Sequence, residues 1–269
     1  MSLIPLFTGR SNFIATGGTK YTQGGYTYHK FTSSGNFTVV SGTRTVEYLV
    51  VGGGGPGGGF ALVYGTDYSY GGGGGAGGLL NGSYASGNFT ITVGTGGAAK
   101  PIADGGFSSI YTNPGAVEVA LSIGGGRGAN ALAGTSATTG GSGGGAGLKN
   151  VSGVLTSYAK AIGTAAQGNN GGDAVNAVPA SSGGGGRGGG AVSSGGTGPT
   201  DGGAGSTAYS SWFDTGGSVV AAGGFGGRTV TGSVPTDFGC GGPGGATYNN
   251  VDYDPFSGSN GIVIIRYAV

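Results

Sequence analysis

The sequence predicts an all-β chain in which strands frame a bundle of polyglycine II helices. Three observations carry that expectation. Glycine makes up 73 of the 269 residues, against an ordinary usage near 7%. The glycines gather in nearly pure runs, at 52–59, 71–78, 140–147, 183–190 and 239–245, set between β-branched and aromatic segments. No segment has convincing helical periodicity; "GVLTSYAKAIGTAA" (153–166) is the one stretch with room for a short helix.

The runs come first, because they decide the rest. Collagen is excluded, since they lack a strict glycine at every third position. A disordered linker fits poorly as well. The chain is 36% hydrophobic, with 14 Tyr and 11 Phe, and its runs are interleaved with strands, not set apart as a tail. A polyglycine II helix has about three residues per turn, rises about 3.1 Å per residue and makes no internal hydrogen bonds. Its N–H and C=O groups must therefore pair with neighbouring helices, and only glycine lets backbones approach on several sides. Eight residues at that rise span roughly 25 Å. Pro56 and Pro243 fit within runs, because the proline φ lies in the same basin. Arg127, Arg187 and Arg228 sit in glycine-rich segments and mark outer positions where a side chain reaches water.

The strands follow in order. "YTYHKF" (26–31) and "NFTVV" (36–40) are joined by Ser-Ser-Gly and read as a hairpin, and "VEYLVV" (46–51) leads into the first run. "NFTITV" (88–93) and "VEVALSI" (117–123) are next, the latter alternating Val117, Val119, Leu121 and Ile123 with smaller or polar residues. Shorter candidates are 108–111, 218–222 and 228–232. "GIVIIRYAV" (261–269) is apolar on both faces, the mark of a central strand. "SGNFT" occurs at 34–38 and again at 86–90, opening a strand each time.

Several functional classes are excluded on chemical grounds. "VEYLVVGGGGPGGG" (46–59) contains a GxGxxG spacing, but the next run begins before a helix could form, and no acidic residue falls at the required distance. A net charge of +1 with 8% charged residues points to neither nucleic acid nor an anionic membrane surface. "MSLIPLFTGR" does not read as a signal peptide, and no apolar stretch approaches the roughly 20 residues that span a bilayer. The single cysteine, Cys240, reads as a small buried filler. One histidine, His29, and no GxSxG elbow argue against a serine hydrolase, and one His with one Cys against zinc. Asp252 and Asp254 are the closest carboxylate pair, but lack the spaced series of oxygens that calcium requires. The chain is therefore expected to be non-enzymatic and free of cofactor and metal. The Asn-x-Ser/Thr triplets at Asn36, Asn81, Asn88 and Asn150 carry no information without a secretory signal. An antifreeze role, known for some polyglycine II bundles, is disfavoured by the bulky excursions between runs.

Those excursions are "FALVYGTDYSY" (60–70), 148–170, "STAYSSWFDTGG" (206–217) and "ATYNNVDYDPFSGSN" (246–260). Their mix of aromatics with Asn, Ser and Asp resembles a recognition surface carried on a rigid scaffold. The alternative is that the aromatics close the ends of a lattice without side chains of its own. "VEYLVVGGGGPGGG", the blocks "GGGGGAGG" and "GGGGRGGG" and the terminal "GSNGIVIIRYAV" resemble the glycine-rich domain of bacteriophage tail and tail-fibre proteins, over roughly residues 26–269. The resemblance implies a jelly-roll-like sandwich of the first and last strands with the glycine bundle inserted. It also implies a surface-exposed virion protein: an adhesin for a host glycan or outer-membrane protein, or alternatively a structural appendage or decoration protein.

On this reading residues 1–25 form an N-terminal attachment segment and 26–269 the glycine-rich domain. Leu3, Ile4, Leu6 and Phe7 would dock onto other virion proteins, and family habit suggests a homotrimer. The expected receptor contacts are Tyr64, Tyr68, Tyr70, Tyr209, Trp212, Phe213, Tyr253 and Phe256, with Asn249, Asn250, Asp252 and Asp254 bonding polar groups. Trp212 ranks first, because tryptophan is enriched among binding hot spots.

Overall fold

The computed structural model describes residues 12–60, 67–174, 181–187, 200–214, 220–227, 236–248 and 251–269. The chain begins with β1 (Ile14–Thr16), β2 (Thr19–Gln23), β3 (Tyr26–Phe31), β4 (Gly35–Ser41) and β5 (Thr45–Val51). β6 (Tyr68–Tyr70) follows the first glycine run, and β7 (Leu79–Ala85) the second. β8 (Phe89–Thr92), β9 (Ser108–Thr112) and β10 (Glu118–Ser122) come next. The hairpin of β11 (Gly147–Val151) and β12 (Val154–Tyr158) precedes a 3-10 turn at Ser210–Trp212. The hairpin of β13 (Ala246–Tyr248) and β14 (Val251–Tyr253) and the closing β15 (Ile262–Ala268) complete the order. The chain is all-β, with no α-helix among the described residues.

Two antiparallel sheets form the base, ordered β2-β3-β15-β5-β7 and β1-β4-β8-β9-β10. They face each other across one core, as aligned sheets do when each offers an apolar face. Phe31, Val46, Val50, Val263 and Ile265 of the first sheet meet Phe37, Phe89, Ile91 and Ile110 of the second. β15 is central, as its two apolar faces predict. Val263, Ile265 and Tyr267 enter this core, while Ile262 and Ile264 face a second cluster on the other side of the sheet.

Two expectations are corrected here. β3 and β4 do not form a hairpin: β3 pairs with β2 and β15, and β4 with β1 and β8. The Ser-Ser-Gly connection carries the chain from one sheet to the other, so Phe31 and Phe37 enter the same core from opposite sides. The tight hairpin lies earlier, at Gly24 and Gly25, with φ of +56° and +78°, the signs a type I′ turn requires. Second, 153–166 holds no helix. Val154–Tyr158 pairs residue by residue with β11 across a turn at Ser152 and Gly153, whose φ values are +52° and +80°. Of the segment 1–25, residues 12–25 are described. β1 and β2 are edge strands of the two base sheets, and Phe13 lies in the core. Residues 1–11, with Leu3, Ile4, Leu6 and Phe7, lie outside the described residues, as do the 228–232 strand candidate, Arg228, positions 218 and 219, and residues 188–190 of the fourth run.

Between strands the runs bond to one another in a three-residue rhythm. In run 71–78 the amides of Gly71, Gly74 and Gly77 donate to the carbonyls of Gly245, Gly242 and Gly239. Those of Gly72, Gly75 and Gly78 donate to Ala129, Gly126 and Ile123, and those of Gly73 and Ala76 to Ser182 and Gly185. The carbonyls keep the same rhythm. Gly78, Gly75 and Gly72 accept from Gly52, Gly55 and Gly58; Ala76 and Gly73 from Ser142 and Gly145; Gly74 and Gly71 from Gly224 and Gly227. Each successive residue thus addresses a different neighbouring segment.

Space, not torsion, demands glycine here. Among the described glycines of the five runs only Gly239 has a positive φ. A methyl group added at Gly73, Gly74 or Gly75 would lie 2.2, 2.2 and 2.1 Å from a carbonyl oxygen of an adjoining segment. Ala76 is the exception within its run: its methyl joins the cluster of Leu49, Val51, Ile262 and Ile264 beneath the lattice. Buried serines join strands to runs. Ser122 Oγ donates to Gly78 O at 2.6 Å and accepts from Gly52 N at 3.1 Å. Ser108 Oγ donates to Val51 O at 2.7 Å and accepts from Gly94 N at 2.9 Å.

Candidate functional site

The runs 52–59 and 71–78 lie antiparallel, with Gly52 bonded to Gly78 and Gly58 to Gly72. β5 and β7 therefore stand at one end of the pair and β6 at the other, separated by the length of the runs. At that distal end three excursions assemble a third antiparallel sheet, ordered β12-β11-β6-β13-β14. They pair because β6 leaves both edges open, and one hairpin takes each: Leu148 and Ala246 both stand opposite Tyr70.

Register organises this sheet. Leu155, Asn150 and Tyr68 form one cross-strand row, and Asn150 Nδ2 donates to Tyr68 Oη at 3.2 Å. The next row brings Lys149 opposite Ser69, and the one nearest the lattice contains Leu148 and Tyr70, both buried. Asp67 Oδ1 accepts from the amide of Ser152 at 2.8 Å, tying the entry of β6 to the β11–β12 turn.

Beside β14 opens a cleft of about 510 Å³. It lies where two parallel segments end together: Gly125, Gly128 and Ala131 donate to Gly53, Pro56 and Gly59. Phe60 and Leu132 stand just past those ends and line the cleft with Pro255. Phe60 is almost wholly buried, whereas Leu132 is 66% exposed. Asn130 Oδ1 accepts from the amides of Leu132 and Ala133, at 3.0 Å each, and fixes that wall. At the rim Lys100 Nζ lies 2.6 Å from Asp254 Oδ1, and Asp252 completes the polar lining.

The expected contact residues divide. Tyr68, Asp252, Tyr253 and Asp254 reach the distal end, with Tyr68 and Tyr253 half-buried and both carboxylates exposed. Half-buried Phe256 is held beside the first run, its amide donating to Pro243 and its carbonyl accepting from Gly57. Tyr70 belongs to the interior, 2% exposed. Tyr64, Asn249 and Asn250 lie outside the described residues.

The structure places Tyr209, Trp212 and Phe213 elsewhere. These three residues lie over the outer face of the first base sheet, not at the distal end. Trp212 and Phe213 are buried with Tyr28, Leu49, Ile262 and Ile264, and Tyr209 packs against them. The physical reason is that β15 is apolar on both faces and one of them needs a cover. The Arg266 guanidinium lies 3.9 Å from the centre of the Trp212 ring and 4.2 Å from that of Tyr26. It also bonds Glu47 Oε2 through Nε at 2.7 Å and through Nη2 at 2.5 Å. Tyr21 Oη donates to the Trp212 carbonyl, and burial raises the Tyr21 phenol above its ordinary pKa.

Phe60, Lys100, Asn130 and Leu132 are the site residues that sequence reasoning missed. A signal existed. Phe60 follows one glycine run and Asn130 another, each beginning just after a strand, so runs of similar length end in one layer. Among the described residues no group of three or more His, Cys, Asp and Glu side chains gathers as a metal site. His29 is fully buried; its Nδ1–H donates to Gly17 O at 2.7 Å, and burial lowers its pKa. Cys240 is buried, and burial pushes its thiol up to about 11.

With this geometry in place, comparison identifies the class of the chain. Residues 32–268 match the glycine-rich domain family, and the chain belongs to it. No curated protein matches it.

Proposed function

We propose that this chain is a bacteriophage virion protein, a tail-fibre adhesin whose distal end binds a receptor on the host cell surface. In this reading the runs are polyglycine II helices inserted in a jelly-roll-like sandwich. The three-residue hydrogen-bond rhythm of run 71–78 supports the helices, since a threefold helix turns each successive amide toward a different neighbour. The lattice then serves as a stiff spacer. The observation that carries the function is the convergence of three separated excursions into one sheet and cleft at the far end of that spacer, because recognition groups gain affinity when a rigid scaffold pre-orders them. Partners on the virion side, trimeric assembly and the absence of catalysis belong to the same proposal.

Binding of the labelled chain to a panel of intact bacteria, measured beside its melting temperature, tests this reading. Tyr68→Ala and Tyr253→Ala should each weaken binding by about thirtyfold with a small change in melting. Trp212→Ala should lower stability by about 3 kcal/mol and leave binding by the folded protein intact. Undiminished binding by both tyrosine variants would remove the adhesin reading and favour the structural appendage.

A further inference from the structure

Resting on the adhesin reading, we infer that the free edge of β12 receives the receptor. An extended segment of a host surface protein adds there to the five-stranded distal sheet. The turn before β12 fixes which backbone groups are offered. Ser152 and Gly153, with φ of +52° and +80°, form a two-residue loop, and such a loop is closed by a hydrogen bond between its flanking residues. Val151 and Val154 are therefore a hydrogen-bonded pair, and pairs of that kind recur at every second residue. Thr156 and Tyr158 accordingly turn their N–H and C=O groups to β11, while Leu155 and Ser157 turn theirs outward. Those four outward groups have no hydrogen-bond partner among the described residues.

The other edges are blunted or lie elsewhere. β1 and β10 carry bulges, β2 carries Lys20, and β14 is three residues long with Asp252 at its centre. β7 is an edge of the base, not of the distal end. Bulges, charges and short length discourage a foreign strand, and β12 has none of them over its five residues. Backbone chemistry names the occupant. Donors and acceptors alternate along this edge, with Leu155 and Ser157 roughly 7 Å apart. An extended peptide matches that line, as in strand addition to a sheet edge; a sugar has no such alternating line. The added strand prolongs the rows of the sheet. It places an apolar residue beside Leu155, in line with Asn150 and Tyr68, and a serine or threonine beside Thr156, where hydroxyl pairs are favoured. Leu155 is half-buried and Val154 is 67% exposed, so both faces of the edge offer apolar contact.

Hydrogen exchange on the full ¹⁵N-labelled chain tests this, with N-acetyl-Lys-Val-Thr-Val-Thr-Val-Lys-amide as the probe. In the free protein the amides of Leu155 and Ser157 should exchange quickly and that of Thr156 more slowly. The peptide should slow the Leu155 and Ser157 amides, and its form N-methylated at the central valine should bind about tenfold more weakly. Ser157→Pro removes an outward N–H and no ladder bond; it should lower peptide affinity about tenfold with little change in melting. Leu155→Lys should act alike, by placing a charge on the edge. No protection by the peptide, equal affinity of its N-methylated form, or undiminished affinity in both variants would overturn the inference. So would protection that arises without peptide and grows with protein concentration, which assigns the edge to a second copy of this chain. Parent and Leu155→Lys are then compared on bacteria before and after protease treatment of the cells. Binding that falls in the variant and after protease supports a protein strand, and binding that survives either change overturns it. A silent peptide with cell binding still dependent on Tyr68 and Tyr253 sinks the edge alone. Peptide protection without any binding to cells sinks the adhesin reading and leaves the edge as a strand acceptor.

Discussion

The base of the molecule and its glycine lattice are stabilised in opposite ways. In the base, side chains fill the space between two sheets, and Phe37, Val50, Val263 and Ile265 are fully buried there. In the lattice the interior is backbone, held by hydrogen bonds between extended segments and closed to any added atom. The base loses stability when a side chain is removed, since a cavity forfeits contacts. The lattice loses it when one is added, because the methyl group meets a carbonyl that cannot move without breaking its own hydrogen bonds.

The contrast can be tested at Gly74, where a Cβ would lie 2.2 Å from Gly55 O and 2.6 Å from Pro56 O. Gly74→Ala should cost about 4 kcal/mol or more, from overpacking together with the hydrogen bonds it displaces. Thermal unfolding would show it, and a melting temperature within a degree of the parent would break the account of the lattice. Ile265→Ala in the base should cost about 3 kcal/mol by the opposite route, read from the midpoint in denaturant.

A smaller, pH-graded effect belongs to His29. Burial lowers its pKa, with the neighbouring Lys20 acting the same way and the Gly17 carbonyl opposing them. Its other ring nitrogen faces Tyr267 Oη at 3.4 Å. The unfolded chain therefore takes up a proton before the folded chain does. Stability should be complete above about pH 6.5 and decline as pH falls from there through the lowered folded value. Melting curves from pH 8 to pH 5 should show this decline, and His29→Gln should remove part of it. Identical slopes for the two proteins would refute it.

The smallest effect is expected at a glycine outside the lattice. Gly35, at the start of β4, has no positive φ, and an added methyl would meet only the Phe31 ring, at 3.9 Å. Gly35→Ala should be neutral or stabilising by about 0.5 kcal/mol, through the unfolded chain. A loss comparable to that at Gly74 would mean that glycine in this protein is demanded by something other than packing space.

Much of the base was legible because its strands carry their own period. In β5 Val46 and Val50 face one cluster and Leu49 and Val51 the other, and β15 is apolar throughout, so burial on both sides could be read directly. The pairing was less legible. Nothing within 26–40 distinguishes a hairpin from a crossing between sheets, because the competing partners of β3 are β2, with a polar edge sequence, and β15, over two hundred residues away. The distal site was half legible: the aromatic excursions were evident, but their destinations were not. Trp212 went to the base because the apolar face of Ile262 and Ile264 needed covering, a demand made by the far end of the chain.

By itself the sequence determined the all-β character, the central closing strand and the close approach of backbones in the runs, since alternation and absent side chains are local properties. Only the tertiary structure decided which excursions meet. Three became one sheet because β6 offered two open edges at the end of the runs, and Phe60 and Leu132 became neighbours because parallel segments ended in the same layer. Runs of glycine have no side chains with which to specify a partner, so their register is set by the strands and lengths that bound them.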